Sequence, residues 1–277
     1  MKMVIPKIPL SIAILSLTLL FFSCDNVSGV GGYIPNADYL GTNNSVYAHT
    51  FFVIDSLGNK ISDFKDTVTI SVSIEEKAIN GISPSIKIIA NSRSAELNGI
   101  GSDNYTQTRW YSQANDTVYC TAYSGSGGMF LPKKTNINRD QGFDFDTPYL
   151  VTMLMRSKKI PFDSIYNAST KRAIYLMPLQ VGTQWHGYPS SYGFIQVRKV
   201  QSIENITTNN RQYQCFKVQT SINSEVFKPD ETWYDYVARE GIILRMIALT
   251  MEISTETNPN GIGRATFYER LELISQF

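Results

Sequence analysis

Short runs rich in isoleucine, valine, threonine, tyrosine and phenylalanine dominate the sequence, and glycine, asparagine, aspartate and proline separate them. β-branched and aromatic residues favour strands, whereas the separating residues favour turns. Runs of this kind that lack helical periodicity are typical of antiparallel strands joined by short connections. The sequence therefore predicts an all-β protein with few helices.

Eleven strands are predicted from this pattern, at residues 46–54, 67–74, 85–90, 106–112, 117–123, 149–155, 193–202, 212–222, 231–237, 242–249 and 264–274. Residues 56–59 have the turn sequence SLGN, which predicts a hairpin. Residues 258–261, with the sequence NPNG, predict a turn before the last strand.

The last predicted strand alternates between two kinds of side chain. One face carries Ala265, Phe267, Glu269, Leu271 and Leu273, and the other carries Thr266, Tyr268, Arg270 and Glu272. Successive side chains of a strand point to opposite faces, so the mainly apolar face is predicted to be buried and the other solvated. We expect one or two curved antiparallel sheets, arranged as a half-barrel or in a sandwich-like fold.

The first residues have the features of an export signal. Lys2 and Lys7 precede an apolar run over residues 8–22, which is too short to span a bilayer and is followed by Ser23 and Cys24. An ordinary secretory signal needs an A-x-A type cleavage site, which is absent here, and Pro6 and Pro9 disfavour an uncleaved anchor. We therefore predict a signal peptide over residues 1–23 that is cleaved before Cys24.

The sequence LLFFSC, which ends at Cys24, resembles the bacterial lipobox. The resemblance implies that Cys24 receives a diacylglyceryl group and becomes the first residue of the mature protein. Two or three acyl chains, such as palmitate, attach a protein stably, whereas one chain binds reversibly. The expected location is the cell envelope, outside the cytoplasm on a periplasmic or cell-surface face, with membrane lipid as a partner through Cys24.

The remaining chain is predicted to have four parts. Residues 24–32 contain three glycines and form a flexible tether, and residues 33–136 form an N-terminal β domain. The turn-rich residues 137–172 are a connector, and residues 173–277 form a C-terminal β domain. The pairs Trp110-Tyr111 and Trp233-Tyr234 agree with two similar halves, and one extended sheet is the alternative.

The charge and the scarcity of metal ligands limit the functions available. The chain has 25 basic and 24 acidic residues, and a nearly neutral body gains little from a polyanion, which argues against nucleic acid as a partner. The two histidines, His49 and His186, are far apart and neither lies near a G-x-S-x-G element. We therefore predict no metal, no cofactor and no enzymatic activity.

Cys120 and Cys215 are the thiols that remain after lipidation of Cys24. Export permits a disulfide between them, because disulfides persist outside the cytoplasm. The alternative is two buried thiols that pack as small apolar side chains. The sequence leaves both possibilities open.

The C-terminal half carries PLQVGTQW at residues 178–185 and WYDYVAREGIILRM at residues 233–246. These segments resemble a pattern found in uncharacterised β-rich secreted lipoproteins of bacteria, in which a PLxxGxxW element opens a sheet. Pro178, Leu179, Gly182 and Trp185 match that element. The resemblance implies a curved antiparallel sheet, similar to half-barrels that carry lipids, and it implies no catalytic residue.

Five aromatic side chains are candidates for binding: Trp110, Tyr111, Trp185, Trp233 and Tyr234. In each adjacent pair one ring is predicted to enter the core and the other to face outward. An outward ring can stack on a sugar or contact a partner, and the alternative is a cross-strand aromatic contact that stabilises the sheet. The predicted function is non-enzymatic binding or assembly in the envelope, through another envelope component such as a protein or an amphiphile. The alternatives are a carrier of a lipid or other amphiphile and a surface glycan binder.

Overall fold

The computed structural model describes residues 38–76, 79, 84–94, 104–126, 164–165, 172–187, 195–223, 232–255 and 258–276. The predicted signal, Cys24, the tether and the predicted strand at residues 149–155 lie outside these ranges. Among the described residues, no helix has the length and hydropathy required to span a membrane.

Thirteen strands make up the described fold: β1 (Val46–Asp55), β2 (Lys60–Glu75), β3 (Ser85–Ser94), β4 (Asn104–Ala114), β5 (Thr117–Ser126), β6 (Ser164–Ile165), β7 (Arg172–Leu176), β8 (Gln184–His186), β9 (Ile195–Thr208), β10 (Arg211–Asn223), β11 (Thr232–Ala238), β12 (Gly241–Thr255) and β13 (Asn258–Ser275). Neighbouring strands pair antiparallel throughout. The prediction of an all-β fold built from a curved antiparallel sheet is confirmed.

The strands form one sheet in the order β6-β5-β4-β3-β2-β1-β13-β12-β11-β10-β9-β8, and β7 pairs with β5 beside β6. The sheet is nearly closed and barrel-shaped. Its two ends approach each other where the backbone N–H of Ala173 in β7 donates to the carbonyl of Gly187, just after β8, over 3.0 Å. We call this contact region the β7–β8 junction.

The core lies on the concave side of the sheet, because alternate side chains of each strand point inward. Tyr47, His49, Phe51 and Val53 are the buried positions of β1, and the residues between them are partly exposed. The predicted inward face of the last strand, from Ala265 to Leu273, is buried as expected. The glutamate on that face, Glu269, lies 3.3 Å from Nε2 of the buried His49.

Ten of the eleven predicted strands coincide with observed strands, with differences of a few residues at most ends and larger extensions in β2, β9, β12 and β13. The predicted hairpin turn is confirmed: Gly58 has a φ of +87°, and Asp55 Oδ1 accepts from the backbone of Leu57 and Asn59 over 2.9 and 2.8 Å. The predicted turn at residues 258–261 is wrong. These residues belong to β13, because Asn258 already pairs with Thr255 of β12.

The segment before β1 packs closely on the turn between β11 and β12. The N–H of Tyr39 donates to the carbonyl of Arg239 over 2.8 Å, and Leu40 is buried in the core. Gly241 has a φ of +112°, and a Cβ placed on it would lie 2.7 Å from Cα of Gly41. Glycine is required at position 241 because both this backbone conformation and this close approach exclude a side chain.

Pairing between β1 and β13, and between β5 and β7, joins strands from the predicted N-terminal and C-terminal domains. The division at residues 33–136, 137–172 and 173–277 and the similarity of the two halves stay predictions. Three strands, β6, β7 and β8, were not predicted, because they are only two, five and three residues long.

Candidate functional site

A group of buried charges occupies the inner face of strands β9, β11 and β12. Asp235 Oδ1 accepts from Arg245 Nε, and its Oδ2 accepts from Arg198 Nη2, both over 2.7 Å. The indole Nε1 of Trp233 also donates to Oδ1 over 3.2 Å. We call these four residues the Asp235 cluster. Charge-assisted hydrogen bonds of this length are the strong class in proteins.

Strand register brings the cluster together from residues that are distant in sequence. Asp235 lies opposite Arg245 in the β11–β12 pair, and Val218 of β10 lies between Asp235 and Val200 of β9. Arg198 is two residues from Val200 on the same inward face, so its long side chain reaches past Val218 to the carboxylate. Residues of three strands, β9, β11 and β12, therefore build one charged centre.

The electrostatics of Asp235 depend on its two arginines. Burial by itself raises the pKa of the Asp235 carboxyl, but the guanidinium groups of Arg245 and Arg198 and the hydrogen bonds from Arg245 and Trp233 outweigh it. The pKa of Asp235 is consequently lowered, and the carboxylate stays ionised. The Asp235 side chain is 0% exposed and that of Arg245 is 1% exposed, so water does not screen this interaction.

Aromatic rings surround the arginines of the cluster. The Arg198 guanidinium lies 5.5 Å from the ring centre of Tyr175 in β7 and 5.6 Å from that of Trp185 in β8. Its Nη1 donates to the carbonyl of Ile174 over 2.8 Å. Arg245 lies 5.9 Å from the ring of Trp233. Such cation–π contacts hold the guanidinium groups in fixed positions.

The PLxxGxxW element positions one of these rings. Leu179 is buried in the core, and Gly182 adopts a φ of +92° in a turn. The N–H of Gly182 donates to the carbonyl of Val200, and the N–H of Val200 donates to the carbonyl of Thr183, each over 2.9 Å. These bonds attach the turn to β9, so that Trp185 lies opposite Arg198.

Three buried hydrogen-bonding groups, one in the cluster and two next to it, have no partner in the structure: Arg198 Nε, Trp185 Nε1 and Thr220 Oγ1. Their residues occupy one row across the sheet, because Trp185 pairs with Arg198 and Arg198 pairs with Thr220. We call these residues the donor row. Most buried polar groups in proteins are hydrogen-bonded, so three such groups in one row require an explanation.

The five candidate aromatics divide between the two sides of the sheet. Tyr111, Trp185 and Trp233 are buried in the interior. Trp110 and Tyr234 are partly exposed, with Lys87 Nζ and Lys217 Nζ at 5.9 and 4.8 Å from their rings. One residue of each adjacent pair therefore points inward, as expected. The two partly exposed rings lie on β4 and β11, which are not neighbours in the sheet.

Both described cysteines are buried, and no disulfide joins them. Cys215 lies in β10, where burial raises the pKa of its thiol to about 12. Cys120 Sγ lies 3.4 Å from Arg109 Nη1 and 3.6 Å from Arg172 Nη2. The arrangement corresponds to the alternative of two buried thiols. Cys24 is outside the described residues.

No group of three or more histidine, cysteine, aspartate or glutamate side chains with the geometry of a metal site occurs in the part of the chain that the structure describes. His49 is fully buried against Glu269, whereas His186 is exposed at the end of β8.

Trp233 was predicted from the sequence as a candidate, but Asp235, Arg198, Arg245 and Thr220 were not. The available signal was a charged residue on the inward face of a strand. Arg198 shares its face with Gln196 and Val200, two positions away on either side. Asp235 shares its face in the same way with Trp233 and Val237. Such a residue has to find partners across the interior. No protein-family model, curated protein or solved structure matches this chain.

Proposed function

We propose that this protein is a lipid-anchored envelope protein that acts by non-enzymatic binding. A diacylglyceryl group on Cys24 holds it at a membrane outside the cytoplasm, and the barrel-shaped body recognises another component of the envelope. The observation that supports binding is the Asp235 cluster, together with the unpartnered donors beside it.

Stability alone does not explain the cluster, because burying its charges costs free energy. Taking charges out of water costs several kcal/mol per ion, and well-packed apolar residues in place of a buried ion pair are often neutral or stabilising. The neighbouring inward positions Val200 of β9, Val218 of β10 and Val237 of β11 are apolar and 0% exposed. Charges retained among such residues favour a role in recognition.

Carriage of an amphiphile is the second candidate, and the curved, nearly closed sheet favours it. Arg245, Tyr47 and Tyr111 are among the largest fully buried side chains and occupy space on the concave side. A ligand smaller than a long acyl chain therefore fits the described interior better. Binding of an envelope component remains the first proposal.

Native mass spectrometry of the full chain tests this proposal. The protein is produced in a bacterial host, extracted from the membrane with detergent and measured without further ligand. A retained small mass supports ligand binding, and a retained protein-sized mass supports assembly with an envelope protein. A protein that carries only its covalent acyl chains, after extraction in several mild detergents, would contradict stable binding.

Lipidation is tested separately with the Cys24→Ser variant. The unchanged protein is expected to incorporate a labelled fatty acid and to sediment with membranes. The variant is expected to lose the label completely, because serine has no thiol for the diacylglyceryl group. A Cys215→Ser variant is the matched control, since its buried thiol is not a lipidation site. Equal labelling of Cys24→Ser and the unchanged protein contradicts the proposal.

A further inference from the structure

We infer that the donor row of Trp185, Arg198 and Thr220 binds the carboxylate group of a small organic acid. This inference rests on the proposed binding function and specifies its ligand. The ligand would accept hydrogen bonds from the indole Nε1–H, the guanidinium Nε–H and the threonine hydroxyl, three neighbouring groups that the fold buries without a partner.

The register of the sheet places these three residues side by side on its inner face. Trp185, Arg198 and Thr220 are consecutive partners on β8, β9 and β10, and the side chains of directly opposed residues start only about 5 Å apart. Each of the three residues is at least nine-tenths buried, with exposures of 6%, 5% and 3%. An acceptor held by all three lies inside the protein.

The charge of the row favours an anion. Arg198 is positively charged, and the carboxylate that it binds, Asp235, also accepts from Arg245. A cation at the row would be repelled by Arg198, while a carboxylate would add a second negative partner. Hydrogen bonds between a guanidinium and a carboxylate are among the strong ones in a low-dielectric interior.

The shape of the row favours a planar monoanion over a phosphate. The rings of Tyr175 and Trp185 lie 6.4 Å apart between their centres, and the Arg198 guanidinium packs near both. The row offers one arginine and two neutral donors, which suits the charge of a single carboxylate. A phosphate carries more charge and more acceptor oxygens than these three groups satisfy.

The position of the row gives the ligand a route into the protein. Trp185 belongs to β8, the last strand of the sheet, beside the β7–β8 junction. Within the described residues, one backbone hydrogen bond crosses this junction, from Ala173 to Gly187. Separating β7 from β8 therefore breaks far less of the sheet than separating any pair of long strands.

Isothermal titration calorimetry of the detergent-extracted full chain at pH 7 tests the inference. The probes are sodium acetate, sodium octanoate and octan-1-ol, the last as an uncharged chain of equal length. We expect both carboxylates to bind, or octanoate alone if the natural ligand also has an acyl chain, and octan-1-ol to bind at least tenfold more weakly than octanoate.

Thr220→Val removes one donor while preserving shape, and we expect it to weaken carboxylate binding about tenfold, the effect typical of a lost hydrogen bond to a charged group. Thr208→Val is the matched control, because Thr208 of β9 is likewise a buried threonine whose hydroxyl has no partner, and it lies outside the donor row. Trp185→Phe is a second row variant with the same expected direction.

Equal binding of octanoate and octan-1-ol, equal effects of the Thr220 and Thr208 variants, or no binding of any carboxylate would overturn the inference. In that last case the row is satisfied by water. The proposed function would still stand if native mass spectrometry retains another species, so the two failures are distinguishable.

Discussion

Two walls of the same sheet fill the interior with different kinds of side chain. On the wall of β2 and β3, the inward side chains Val68, Ile70, Ile86, Ile88 and Ala90 are all apolar and at most 3% exposed. On the wall of β9, β11 and β12, the interior holds the Asp235 cluster. These named side chains are almost completely buried on both walls, but the ones on the β2–β3 wall are apolar, whereas those of the Asp235 cluster include three charged groups.

The two walls constrain the identity of their residues to different degrees. Apolar burial is non-directional and scales with the area removed from water, so the β2–β3 wall needs residues of the right size and little more. A buried carboxylate needs particular donors at particular distances, because any that is missing leaves an uncompensated charge. The charged wall should therefore tolerate less change than the apolar wall.

The largest effect is expected from Asp235→Ala. The variant leaves the Arg198 and Arg245 guanidinium groups buried without this carboxylate, which should lower the free energy of unfolding by about 3 to 5 kcal/mol. Urea denaturation measures the loss. Glu272→Ala, which removes a partly exposed carboxylate of β13, is the control. If the two variants lose similar stability, the charged wall is not the more demanding one.

Acid denaturation tests the same carboxylate through its titration. Asp235 has a lower pKa in the folded protein than its ordinary value, so its contribution to stability is complete above the unfolded pKa, which is about 3.9, and is lost as the pH falls through the lower folded pKa. We expect Asp235→Asn to be less stable at neutral pH and to lose stability less steeply below about pH 4. If the stability of the variant and of the unchanged protein falls in parallel below pH 4, Asp235 does not contribute to the loss of stability in acid.

A smaller effect is expected on the apolar wall. Ile70→Val removes one buried methylene from a side chain that is 0% exposed, which should cost about 0.5 to 1.5 kcal/mol. Ile74→Val, on the same strand but 50% exposed, is the matched control and should change little. A loss for Ile70→Val as large as that for Asp235→Ala would remove the contrast between the walls.

The smallest effect is expected on the outer surface. Arg270 Nη2 lies 2.8 Å from Glu272 Oε2, and the two side chains are 53% and 27% exposed. A double-mutant cycle with alanine at both positions should give a coupling below about 1 kcal/mol, because water and salt screen exposed pairs. The coupling should shrink further in 1 M salt. A coupling above about 2 kcal/mol that persists in salt would show that burial is not what distinguishes the Asp235 cluster.

Much of the fold was predictable because its signals are local. The β-branched runs identify the long strands, and alternation in β13 identifies its inward face, including Glu269. The short strands β7 and β8 carry too few residues for a periodic signal. The turn predicted at residues 258–261 failed because the pairing of β12 with β13 extends the strand through turn-forming residues.

The candidate site was only partly predictable. Trp185 and Trp233 were predicted from their residue type as rings that contact a ligand. In the structure, Trp233 donates a hydrogen bond to Asp235 and Trp185 lies opposite Arg198. Arg198 and Arg245 were not identified, because a single charged residue in a strand is ordinarily on the solvated face. Only their buried positions reveal their role.

The sequence by itself determined the class of fold, most strand positions and the alternation of inward and outward residues, since these depend on neighbours a few positions apart. The tertiary structure decided the strand order, the near closure at the β7–β8 junction and the meeting of Asp235 with Arg198 and Arg245. The physical reason is the distance in sequence over which each effect acts. Strand propensity and alternation depend on residues that are close in sequence. A buried charge needs hydrogen-bond partners on other strands, and the register that positions those partners depends on many residues together.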